Sequence, residues 1–175
     1  MGLSLVPKVK TVIDVGCSPK GADSIGYLAR EFLPETLYGF DPSPAVEQIV
    51  GSYPIGGTRV IVERKAAWIS DGWLHWVPTG YGTVSEDAPE HMTALKVRAF
   101  DLAKFIQSLG DDKIHLKMDC EGAEYPILEH LIAKKAIEKV SLLWIEWHYL
   151  EADSLQRQEA ILAAMPHVDL HSWNM

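Results

Sequence analysis

The stretch Lys117-Met118-Asp119-Cys120-Glu121-Gly122-Ala123-Glu124 decides how this chain is read. It follows the short run Ile114-His115-Leu116 and precedes Tyr125, Leu128, Leu131 and Ile132, whose spacing is helical. A buried strand that turns at once into a helix is the repeating unit of a parallel α/β sheet. Ligands of open parallel sheets bind outside the carboxyl ends of the strands, so Asp119 and Glu121 are expected on the rim of a site. Within the strand, the period of two puts His115, Lys117 and Asp119 on one face. A lysine inside a central strand is costly to bury unpaired. Lys117 therefore needs a partner.

Working outward, the same unit recurs upstream. Thr11-Val12-Ile13-Asp14-Val15 is a β-branched run ending in Gly16-Cys17-Ser18-Pro19-Lys20-Gly21, and Ile25, Leu28, Ala29 and Phe32 follow at helical spacing up to Pro34. Thr36-Leu37-Tyr38-Gly39-Phe40 is a second strand ending on Asp41-Pro42, with Ser43 capping a short helix over 44–50, and Arg59–Val62 is a third strand. Ser70-Asp71-Gly72 sits between two apolar runs and predicts a hairpin over 66–77, followed by a loop over 78–94. Asp101 is expected to cap a helix through Leu109. Downstream, Val140 to Trp147 is the longest apolar run and ends on Glu146-Trp147-His148. A helix over 153–165 and a last strand over 168–173 complete the chain. Strands alternating with helices at these lengths predict an α/β fold with a mostly parallel sheet and helices on both faces. With no linker or repeat, residues 1–175 are expected to form a single domain.

Composition narrows the function. Sixteen basic against twenty-four acidic residues give a net charge of −8, which argues against nucleic acid and anionic membrane surfaces as partners. No apolar run approaches the ~20 residues needed to span a bilayer. Two cysteines, not in a CxxC pair, point to a reducing, cytoplasmic compartment.

Three constellations carry chemistry. The turn from Gly16 to Gly21 resembles a nucleotide-binding loop but lacks GxGxxG, and Asp41 ends the next strand, where a carboxylate can accept both hydroxyls of a ribose. Together they predict an adenosine-type cofactor and leave NAD and S-adenosylmethionine open. Finally, Glu146 and His148 share a face, as do Lys117 and Asp119. If the two strands are neighbours, Lys117 pairs with Glu146, and the rim carries Asp119, Glu121 and His148.

Val12–Gly16, Gly39-Phe40-Asp41-Pro42, the block Lys117–Glu124 and Ile145–His148 resemble the FkbM-type S-adenosylmethionine-dependent methyltransferases, over residues 11–148. The resemblance implies a Rossmann-like class I methyltransferase fold and methyl transfer to a hydroxyl of a sugar, glycan or small natural product. It also implies that Asp14, Gly16, Cys17, Ser18 and Gly21 form the cofactor loop, that Asp41 and Pro42 meet the ribose, and that Ala66 and Ala67 lie near the adenine. Asp119 would touch both cofactor and acceptor. The chain departs from the family where Cys17-Ser18-Pro19 replaces the usual second loop glycine. It also ends after its sixth apparent strand, which predicts a shortened C-terminal hairpin and either a homodimer or one domain of a larger protein.

For a hydroxyl acceptor, His148 is the first choice of base, since histidine titrates near neutrality, with Asp119 or Glu121 second. Alternatively Asp119, Glu121, Glu146 and His148 hold a divalent metal that acidifies the hydroxyl. Trp73, Trp76 and Tyr81 are expected either to line a sugar-binding face or to pack on the sheet. Two rival readings are an NAD-dependent oxidoreductase and a non-catalytic cofactor-binding or interaction module.

Overall fold

Thr11–Val15 (β1) is buried at every position, as expected for a β-branched strand covered on both faces. The computed structural model describes residues 9–19, 23–78, 83–87, 93–111 and 113–173. After β1 come α1 (Ser24–Phe32), β2 (Thr36–Phe40), a 3-10 turn over Pro44–Gln48, β3 (Gly51–Ile55), β4 (Thr58–Glu63), β5 (Ala66–Trp68), β6 (Gly72–Val77) and β7 (Thr83–Ser85). Then follow β8 (Leu95–Asp101), α2 (Leu102–Ser108), β9 (Ile114–Met118), α3 (Glu124–Ala133), a second 3-10 turn over Ala136–Lys139, β10 (Val140–Ile145), α4 (Ser154–Ala164) and β11 (Asp169–Ser172). Among the described residues no helix is long and apolar enough to cross a membrane.

The main sheet has seven strands in the order β11-β10-β9-β1-β2-β4-β3. Every pairing is parallel except that of β3 with β4, so the sheet is mixed, with one antiparallel edge strand. The sequence reading has no counterpart for β3, which is short, exposed and carries Pro54. Gly56 and Gly57, both at positive φ (56° and 95°), form the two-residue loop that joins it to β4. At the other edge, β11 lies parallel to β10. The expected C-terminal antiparallel hairpin is therefore absent from the described residues, and the antiparallel element sits at the opposite edge.

Successive residues of each strand feed opposite faces. Ile13, Leu116, Leu143 and Ile145 pack against Leu102 and Ile106 of α2, Ile127 and Leu128 of α3, and Ile161 of α4. Val12, Leu37, Val60 and Val62 pack instead against Ile25, Leu28 and Ala29 of α1. Helices thus cover both faces, as read from the sequence. Asp23 caps α1 by accepting the Gly26 N–H at 2.7 Å, and Asp101 caps α2 by accepting the Lys104 N–H at 3.1 Å.

The hairpin expected over 66–77 does not form. β5 and β6 belong to a second, four-stranded sheet of order β5-β8-β6-β7, in which β8 lies between them. Long-range contacts decide this. Asp71 accepts the Asp101 N–H at 3.1 Å and meets Lys104 Nζ at 2.8 Å, which ties the turn to the start of α2. Ala99 of β8 pairs with both Ala66 and Gly72, small residues that admit a strand between them. The stretch read as a loop over 78–94 contains β7. Trp73 and Trp76 lie on opposite faces of β6. Trp76 is buried, whereas Trp73 is exposed beneath Lys96 and Arg98, so the two cannot share a sugar-binding face. Tyr81 lies outside the described residues.

Candidate active site

The chain leaves β1 towards β2 on one side and later returns to β9 on the other. That reversal opens a crevice at the carboxyl ends of the strands. A pocket of about 420 Å³ fills it, floored by residues after β1, β2, β9 and β10 and walled by Ala66, Ala67, Trp76 and Val84 of the second sheet.

Gly16 makes this approach feasible. Its φ is +84°, and a Cβ there would lie 1.7 Å from the Asp119 carbonyl oxygen, so only glycine lets the β1 and β9 ends meet. Its carbonyl accepts a hydrogen bond from Lys117 Nζ at 2.7 Å. Lys117 is buried, as expected, but its partner is not Glu146. Trp144, not Glu146, stands beside Lys117 in the β9–β10 register. The ion pair is with Asp14, at 3.0 Å, across the β1–β9 pairing in which the two residues are direct neighbours. Asp119 lies 3.8 Å away. Burial pushes the Lys117 pKa down, but Asp14 and Asp119 outweigh it and the net shift is upward.

Of the cofactor residues expected from the sequence, Gly16, Ser18, Asp41, Pro42, Ala66, Ala67 and Asp119 line the pocket. Asp14 does not. It is fully buried, accepts the Ser24 hydroxyl at 2.6 Å and serves as counter-ion to Lys117. Cys17 is also buried away from the pocket and borders a separate hollow of about 290 Å³; burial pushes its thiol well up. Gly21 lies outside the described residues. Asp41 is buried and accepts the Ser43 N–H at 2.8 Å, and burial raises its pKa. Donating hydroxyls would compensate that cost. Together with the small side chains at 66 and 67, this makes the cavity suited to a ribose and a flat base.

The other end of the pocket holds Asp119, Glu121, Glu146 and His148. His148 Nε2 stands 3.6 Å from Glu121 and 3.9 Å from Asp119. Its Nδ1 faces Glu124 Oε1 at 2.8 Å. The hydrogen bond that His148 donates to Glu124, partly opposed by burial and reinforced by the other two carboxylates, raises the His148 pKa to about 9. That corrects the near-neutral titration expected of this histidine: below pH 9 the ring is cationic. Burial raises the pKa of Asp119 and of Glu121. Of the four metal candidates, Asp119, Glu146 and His148 offer ligand atoms within 4.8 Å of one another, and Glu121 stands outside that group. The sequence motif alone gives Glu124 no role. The only signal for it was its position at the start of a helix beside a carboxylate-rich turn.

Fold and site together define an α/β protein with a nucleotide-sized pocket at the switch point of its main sheet and a carboxylate–histidine cluster at one end. The Methyltransferase FkbM domain model matches residues 37–171, and the chain belongs to that family of methyltransferases. It is similar in fold to a methyltransferase FkbM from Methylobacillus flagellatus KT, whose crystal structure it matches with a TM-score of 0.55 at 17% identity. The match covers 91% of this chain and 38% of that one, so the chain spans well under half the length of that relative. None of the curated proteins matches it.

Proposed function

We propose that this chain is an S-adenosylmethionine-dependent O-methyltransferase acting on a hydroxyl of a sugar, glycan or small natural product. The observation that carries the reading is one cavity with two chemically distinct ends: Asp41 with Ala66 and Ala67 at one, and Asp119, Glu121 and His148 at the other. When bound, the cofactor supplies an electrophilic methyl group on a sulfonium. Asp41 accepts the ribose hydroxyls, Pro42 shapes the turn beside them, and Ala66 and Ala67 leave room for the adenine. Gly16 and Ser18 border the middle of the cavity. Alignment of donor and acceptor is the main contribution the protein makes to such a displacement. The cationic His148 donates from Nε2 and orients the acceptor oxygen. Asp119, whose pKa is raised by burial, takes the proton.

A second reading is favoured by the grouping of Asp119, Glu146 and His148. These three would hold a divalent cation, with His148 giving up its Nε2 proton to become a ligand, and the cation would acidify a bound hydroxyl.

The test is calorimetric titration with S-adenosylmethionine, with NADH as the rival ligand. Asp41→Ala should weaken S-adenosylmethionine binding by roughly 1.5–3 kcal/mol, the cost of losing hydrogen bonds to a charged group. Binding of NADH in preference, or unchanged affinity in Asp41→Ala, would overturn the assignment.

A further inference from the structure

Glu124 is fully buried at the first turn of α3, where the capping position, Ala123, offers no side-chain bond. Its two oxygens serve three donors. Oε1 accepts the Cys120 N–H at 3.0 Å and faces His148 Nδ1 at 2.8 Å, while Oε2 accepts the Gly122 N–H at 2.8 Å. A carboxylate only accepts, so Nδ1 carries a hydrogen. Cys120 and Gly122 flank Glu121, whose φ of 53° is unusual for a residue with a side chain. The Asp119–Cys120 and Glu121–Gly122 peptide groups and the histidine arriving from the end of β10 are thus fastened to one buried side chain. Among the described residues, His148 is the basic group that pairs with Glu124.

We propose that Glu124 is the positioning residue of the acceptor site. It locks the Cys120–Gly122 turn and the His148 ring into one arrangement that aims Nε2 at Asp119 and Glu121. The proposal rests on the methyl-transfer reading for its consequence, but not for its geometry. Carboxylates that orient a metal-ligating histidine through its second nitrogen typically contribute 10- to 100-fold to activity or metal affinity, and an effect of that order is expected for a histidine that orients an acceptor in the same way. Glu124 should act through His148 and leave the Asp41 end of the pocket untouched.

A double-mutant cycle with an independent spectroscopic arm tests this. Glu124→Gln keeps the shape but offers one accepting oxygen where two are used. We expect kcat to fall roughly 10- to 100-fold with S-adenosylmethionine affinity within about twofold of wild type. In a His148→Gln background the same substitution should cost less than about twofold, because residues acting as one unit are not additive. By NMR on ¹⁵N-histidine-labelled protein, the hydrogen-bonded His148 Nδ1–H should be present in wild type and lost or shifted in Glu124→Gln. Additive losses, or an unchanged Nδ1–H signal, would overturn the proposal. Should wild type transfer no methyl group to any acceptor, the function reading fails, while the Nδ1–H signal still decides the positioning role. If Glu124→Gln does not fold, Glu124→Asp keeps the charge but withdraws it by one methylene, and the same signal and the same cycle apply.

Discussion

Replacing Lys117 with methionine removes the cation that closes the gap between β1 and β9. Lys117 is 1% exposed and Asp14 is 0% exposed, so Lys117→Met leaves a carboxylate in the core without its counter-ion. It also removes the donor to the Gly16 carbonyl. Breaking one partner of a buried pair costs about 3–5 kcal/mol. A domain of this size is stable by only about 5–15 kcal/mol. At about 2–4 °C per kcal/mol, the melting temperature should fall by roughly 6–20 °C. Chemical denaturation followed by fluorescence, with thermal melts alongside, measures both. The double variant Lys117→Met with Asp14→Leu should recover a substantial part of the loss, because both buried charges are then gone. Lys117→Met with Glu146→Leu should recover nothing, since Glu146 does not touch the lysine. A loss under about 1 kcal/mol, or rescue by Glu146→Leu and not by Asp14→Leu, would refute the pairing.

Two more predictions follow from the acceptor end of the pocket. The folded-state pKa of His148, about 9, lies above its ordinary value of 6.5, so its pairing stabilises the fold fully below pH 6.5 and is lost as pH rises through 9. Stability should fall by about 1–2 kcal/mol across that window after allowing for solvent screening, and His148→Gln should flatten the profile in denaturation curves taken at intervals of pH. EDTA should leave activity intact if Asp119 and His148 act without a metal. Loss of activity restored by Mg²⁺ or Mn²⁺, with Glu146→Gln as damaging as Asp119→Asn, would establish the cation reading instead.

What the amino-acid sequence determined by itself were the features that depend on neighbours along the chain. The β-branched run Thr11–Val15 marked β1, Thr36–Phe40 and Arg59–Val62 marked β2 and β4, and the apolar run from Val140 to Trp147 marked β10. Helical spacing marked α1 and α3, and the cap at Asp101 obeyed local hydrogen-bond chemistry. Because ligands gather at the carboxyl ends of parallel strands, the same reading placed Asp41, Asp119, Glu121 and His148 around one pocket. The turn Gly56-Gly57 was equally local, but β3 ahead of it is too exposed to show an apolar alternation. The tertiary structure decided whatever depends on which strands lie side by side. Lys117 could not be matched to Asp14, 103 positions away, until β1 was seen to pair with β9 in a register that sets them abreast. The insertion of β8 between β5 and β6 likewise rests on long-range pairing rather than on the turn between them. His148 looked like a neutral base because its charge is set by Glu124, which reaches it across 24 residues and from within the core. Electrostatic environment is a property of distance and burial in space, and neither is written in the order of residues.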